Sequence, residues 1–291
     1  MQQPTTVTLG NLTDHLKGKD LHQVIHPQVW SPVYLRALKI SLVEKVNITG
    51  FIDGAPDAIL EEFELIELIE GILGVEKPYG EVDNRRTAQI DFIVSLGVNL
   101  ETCSDGRHAE KFVGFVLKYL ADYVILNSHH YRIENFAKCD APINLWLRFK
   151  NIRRFFNPTI AISSVGNKAP ILTVVTPSRL NGNPNCQLVG YLLAIAQKGF
   201  RARPQRFKER PYLVRLAANS RAWFARTLVT KKYLDTLEEG TIAEDEEGFD
   251  VEISEVYDLK DSHQRAAFVA CLTCVYAKIL KYEKLLHPSY D

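Results

Sequence analysis

Between Ala141 and Lys232 the chain carries 17 lysines and arginines against a single acid, Glu209. This feature constrains the fold most, because like charges gathered at that density repel and destabilise a compact state unless counter-charge lies close by. The whole chain holds 35 residues of each sign, so everything outside this stretch shares 18 basic and 34 acidic residues. Two segments carry most of the acid: Asp53 to Asp83, with ten acids and one lysine, and Asp235 to Asp261, with twelve acids and one lysine. Either the acidic segments fold onto the basic one, or the basic one is left to meet an external polyanion.

The second alternative is the expectation taken from the sequence, with nucleic acid as the polyanion and RNA favoured. Arg201 to Pro211 (RARPQRFKERP) has five basic residues in its first ten and two prolines, which oppose regular helix and predict an extended basic loop. After it, Tyr212 to Lys232 reads as an amphipathic helix with Leu213, Leu216, Ala217, Trp223, Phe224 and Leu228 on one arc. Arg215 and Arg226 would sit at one edge of that arc and Arg221 at the other, where guanidinium forks suit bidentate contacts to phosphate. The expected contact set is Lys150, Arg153, Arg154, Arg201, Arg203, Arg206, Lys208, Arg210, Arg215, Arg221, Arg226, Lys231 and Lys232. Aromatic residues interleave with these charges, and Phe207 and Tyr212 are the candidates for stacking on unpaired bases. No sequence-reading motif accompanies them, so the expected binding is general rather than sequence-specific. Balanced segregation of charge also suggests self-association on the strand, one subunit's acidic face against the next one's basic margin, as in a nucleoprotein or coat.

Periodicity predicts a mainly α, multi-helix, two-lobed fold with a small β-hairpin near the middle, α+β being the alternative. Helices are expected over Asp57 to Leu73, Arg107 to Leu126, Cys186 to Phe200 (capped by Asn185) and His263 to Leu286 (capped by Ser262). Pro32 to Val46 has helical spacing but its β-branched residues also permit a strand. Ala88 to Leu96 reads as a short strand, Ile143 to Phe156 is ambiguous at its start and ends as helix, and Thr159 to Val165 with Ile171 to Thr176 reads as the hairpin. In domain terms this gives an acidic helical segment, 1–140, a basic binding region, 141–232, and an acidic linker with a C-terminal helix, 233–291.

Five cysteines, an odd and scattered number, point to reduced thiols and an intracellular setting, cytoplasm or virion. Cys271 and Cys274 have C-x-x-C spacing within an apolar helical pattern, where buried structural thiols are the expectation. There is no apolar run long enough for a membrane span, and no cofactor, catalytic or metal-binding motif. The rival to a binding protein is a metal-dependent nuclease or other nucleic-acid-processing enzyme. Glu67 or Glu70 on a helix, followed by Asp91 in a strand, resembles part of the restriction-endonuclease-like core. That core also needs an acid-x-Lys pair on a following strand, and here a helix without such a pair follows. A third reading is an adaptor that binds an acidic protein.

Overall fold

The computed structural model describes residues 31–47, 50–51, 66–74, 84–102, 106–124, 131–135, 143–147, 152–156, 158–164, 170–176, 183–217, 219–239 and 247–286. Its chain order begins α1 (Pro32–Ala37), β1 (Ile40–Val46), α2 (Ile66–Ile72), α3 (Asn84–Thr102), α4 (Gly106–Val124), β2 (Tyr131–Asn135), β3 (Ile143–Leu147), β4 (Ile152–Phe156), β5 (Ile160–Ser164) and β6 (Pro170–Val175). It continues through α5 (Pro184–Ala202), β7 (Lys208–Glu209), β8 (Tyr212–Leu216), β9 (Arg221–Thr227), β10 (Val229–Thr230), α6 (Lys231–Glu239), β11 (Phe249–Ser254), β12 (Tyr257–Asp258) and α7 (Ser262–Leu286).

The expected mainly α fold is corrected by an eight-stranded mixed sheet in the order β1-β11-β9-β8-β6-β5-β2, with β12 beside β9. Strands β1 and β11 are parallel, as are β6 and β8, while β9 runs antiparallel to both β8 and β11. One core lies between one face of the sheet and α2, α3, α4 and α7, and a second lies between the opposite face and α1, α5 and α6. The architecture is therefore α/β, and strands from each of the three sequence segments pair within one sheet.

Two elements explain why periodicity misled. Tyr212, Val214 and Leu216 enter one core, and Leu213 and Ala225 the other, so β8 and β9 are apolar on both faces and lack the polar alternation that marks a half-exposed strand. A doubly buried strand pair fits a helical wheel as readily as a ladder, and the expected helix over Tyr212 to Lys232 is in fact β8, β9, β10 and only the start of α6. Conversely, the expected strand at Ala88 to Leu96 lies within α3, where Ile90, Ile93 and Leu100 supply the buried stripe. The end of Ile143 to Phe156 is strand β4, not helix, paired with β3.

Other local expectations hold. β5 and β6 form the antiparallel hairpin, and α4, α5 and α7 occupy the expected helical stretches. Their caps differ. Asn183, not Asn185, opens α5, its side chain accepting from the amides of Asn185 at 2.9 Å and Cys186 at 3.4 Å, with Pro184 in the first turn. At α7 the carboxylate of Asp261 accepts from the Gln264 amide at 2.8 Å. Of the helix expected over Asp57 to Leu73, the described part begins at Ile66. Pro32 to Val46 proves to be both elements, a short helix and then a strand. Between them Lys39 adopts φ 53°, and its carbonyl occupies the space a side chain on Gly248 would need.

Candidate nucleic-acid interface

The expected extended loop, Arg201 to Pro211, is a structured corner. Helix α5 runs through Ala202, the chain turns back on itself through Arg203, and Lys208–Glu209 pairs antiparallel with Val229–Thr230. Beneath the turn is an ionic cluster whose residues the sequence pattern places at the surface. Arg203, 2% exposed, donates from Nε and Nη2 to the two carboxylate oxygens of Glu209 at 3.2 and 3.0 Å. Arg206 reaches the same carboxylate from Nη1 at 3.4 Å and is also buried. Removal of these charges from water is tolerable because each guanidinium meets the carboxylate at hydrogen-bonding distance. Gly199 of α5 leaves the space for it: a Cβ there would stand 3.0 Å from Glu209 Cδ and 3.3 Å from Arg203 Nη2.

The helix that was to display Arg215, Arg221 and Arg226 at its edges does not exist. Arg215 projects from β8 toward the α5 layer and Arg226 from β9 toward the opposite core, and both are buried. Arg226 Nε donates to Glu252 at 2.7 Å, Nη2 donates to the Gly50 carbonyl at 3.1 Å, and the guanidinium lies 5.0 Å from the Phe51 ring centre. Arg221 is exposed at the start of β9. Tyr212 is buried in the sheet, which removes it as a stacking residue, whereas Phe207 is 82% exposed.

The acidic segment Asp235 to Asp261 supplies part of the counter-charge. Besides Glu252, Glu238 accepts from Arg201 at 3.0 Å and Asp235 from Lys231 at 2.6 Å, both at the surface. Lys208 and Lys232 are exposed and Arg210 is half-buried. Lys150 lies outside the described residues. Arg153 and Arg154 are placed by their backbone in β4, opposite Trp146 and Leu145 of β3. That ribbon runs alongside α5 and α6, on the layer to which the corner belongs.

The residues brought together are thus Phe207 and Lys208, at the start of β7, and Thr230 of β10 with Lys231 and Lys232 opening α6, joined by the Lys231 amide donating to the Phe207 carbonyl at 2.8 Å. An exposed aromatic ring on a backbone-bonded corner that also carries lysines can stack on a base while cations meet flanking phosphates. The sequence points to the ring but not to its partner segment, since β7–β10 pairing joins residues about twenty apart with no turn signature between them.

Neither rival site is assembled as expected. Asp91 lies on helix α3, not on a strand, and Glu67 forms an ion pair with Arg86 at 3.4 Å. Among the described residues no three Asp, Glu, His or Cys side chains gather as metal ligands would. Cys271 and Cys274 are buried and form no disulfide, and desolvation holds Cys271 well above the ordinary thiol range. Among the described residues no helix is long and apolar enough to cross a membrane. No protein-family model matches the chain, and no curated protein or solved structure matches it significantly.

Proposed function

We propose that this protein binds RNA or single-stranded DNA without sequence preference, using the corner formed by Phe207, Lys208, Lys231 and Lys232. The observation that carries the reading is Phe207, a phenyl ring 82% exposed on a corner whose base is locked by a buried ion cluster. A ring of that size in water has no packing role in the monomer, and stacking on a base is a use that its cationic neighbours favour. Arg201 and Arg210 extend the basic margin, while Arg203, Arg206 and Arg226 hold the fold. The proposed role is binding rather than catalysis, in an intracellular compartment, with self-association along the strand through the acidic segments.

The test is titration of a labelled RNA of arbitrary sequence across a salt series, with particle size followed in parallel. Phe207→Ala should weaken binding by about 1–3 kcal/mol and leave the salt slope unchanged. Exchanging Lys208, Lys231 and Lys232 for glutamine should flatten the slope by about 0.7 for each phosphate no longer neutralised. Absence of binding at low salt, or two variants that bind like the parent, would overturn the reading and favour an acidic protein partner.

A further inference from the structure

Five arginines are buried among the described residues: Arg203, Arg206, Arg215, Arg226 and Arg265. Four of them have a carboxylate at hydrogen-bonding distance: Glu209 for the first two, Glu252 for Arg226 and Glu101 for Arg265. Arg215 is different. Only 7% exposed, it donates through Nη1 to the Pro184 carbonyl at 2.6 Å and to Gln187 Oε1 at 3.3 Å, and both acceptors are neutral. Its Nε has no partner, and its guanidinium lies 5.1 Å from the centre of the Trp223 ring. Burial lowers its pKa to about 10, which leaves it cationic at neutral pH. A buried charge without a counter-ion is costly.

The surroundings show what the charge could meet. β6 and β8 are parallel and run toward the end of the sheet where α5 begins. In open α/β sheets the carboxyl ends of parallel strands, beside helix N-termini, are where ligands bind. Arg215 stands one residue from the end of β8, opposite Val175 of β6 and Trp223 of β9. Two more buried polar atoms on this side of the sheet lack partners: Trp223 Nε1, on the residue opposite Arg215, and Thr173 Oγ1, on β6 opposite Leu213. Because both hydrogen bonds of Arg215 use Nη1, the remaining edge of the fork is left for a bidentate oxyanion.

We infer that Arg215, with Trp223 beside it, seats a phosphate oxyanion at the carboxyl ends of β6 and β8. The site is separate from the Phe207 corner: the two lie at opposite ends of α5, roughly 28 Å apart along a helix of 19 residues. The inference therefore stands whether or not the corner binds nucleic acid. The phosphate belongs either to a phosphorylated ligand of nucleotide size or to free inorganic phosphate. Glu44, whose carboxylate accepts from Asn185 Nδ2 at 2.6 Å, places a negative charge at the same end and tempers the affinity.

The experiment compares thermal unfolding of the wild-type chain and Arg215→Met in inorganic phosphate, in a nucleoside 5′-monophosphate and in chloride at matched ionic strength. The wild type should show saturable protection by phosphate, and R215M should weaken the apparent affinity at least about tenfold, the loss of a charge-assisted pair. Without phosphate, R215M should be as stable as the wild type or more so, since an apolar chain replaces an uncompensated charge. Protection by the nucleotide at far lower concentration than by phosphate identifies a phosphorylated ligand, and equal protection identifies the free ion. A second readout avoids substitution at Arg215: with Trp30 and Trp146 changed to phenylalanine, Trp223 fluorescence should titrate with phosphate. Wild-type protein without saturable protection, a silent Trp223, or an R215M variant that is merely destabilised would each show that Arg215 is a strap between β8 and α5, and would overturn the inference.

Discussion

Substitution of Glu209 probes the base of the proposed interface directly. Its carboxylate is shared by Arg203 and Arg206, and all three side chains are almost fully removed from water. Breaking a buried ion pair by deleting one partner costs about 3–5 kcal/mol, because the remaining charge loses its compensation without regaining water. Glu209→Ala strands two guanidinium groups at once and should reach the upper end of that range. Glu209→Gln keeps an acceptor of the same shape and should fall near the lower end. Against a typical domain stability of about 5–15 kcal/mol, either loss is large. Urea unfolding followed by far-ultraviolet circular dichroism gives the difference from the shift in midpoint at constant slope. Replacing the whole cluster at once, by Arg203→Met, Arg206→Met and Glu209→Leu together, should recover much of the loss, since apolar groups of similar volume need no partner. If Glu209→Ala costs less than about 1 kcal/mol, the cluster is hydrated in solution and the corner is not the fixed platform described above.

Three further outcomes follow from the same geometry. Gly199→Ala would ordinarily strengthen a helix by about 0.5–1 kcal/mol, but here the methyl meets Glu209 Cδ at 3.0 Å, so a net loss of about 1–3 kcal/mol is expected in chemical denaturation; a gain would mean that the cluster yields freely. Cys186, pushed up to about 11 by desolvation, and Cys271 and Cys274, all buried, should resist alkylation until the chain unfolds, as mapped site by site by mass spectrometry. Arg215 has a folded-state pKa below its unfolded value, so above about pH 10 the unfolded chain binds more protons and this residue's contribution to stability rises with pH. Any advantage of R215M over wild type at neutral pH should accordingly shrink through about pH 10, and a gap that stays constant would refute that assignment.

Much of the molecule is legible in its sequence where a single physical signal dominates. The two β-branched runs at Ile160 and Ile171 separated by a Gly–Pro-bounded turn give the hairpin, and the apolar periodicities of α4, α5 and α7 give three helices. The central strands are not legible, because Leu213 and Val214 both face cores and erase the alternation. Burial of arginine is hidden for the same reason. Arg215 and Arg226 differ from Arg221 only in which strand position they occupy, and charge counting treats all three as surface. The basic stretch announces a need for counter-charge, yet only the fold reveals how far Glu209, Glu238 and Glu252 meet it from within. Phe207 is identified from its place in a polar loop, while the return strand that supports it depends on tertiary pairing.

The parallel pairing of β1 with β11 bears on how the molecule is made. Strand β1 ends at Val46 and its partner begins at Phe249, so about two hundred residues must be synthesised before the pair can form. At roughly 5–20 residues per second the ribosome imposes a wait of about 10–40 s. Throughout that interval β1 is an orphan strand, and the centre of the sheet can close through β5, β6, β8 and β9 without it. An early-made strand is then added at the rim of a sheet whose centre is already synthesised, with Glu44 exposed along it as a charged deterrent to pairing with a neighbouring nascent chain.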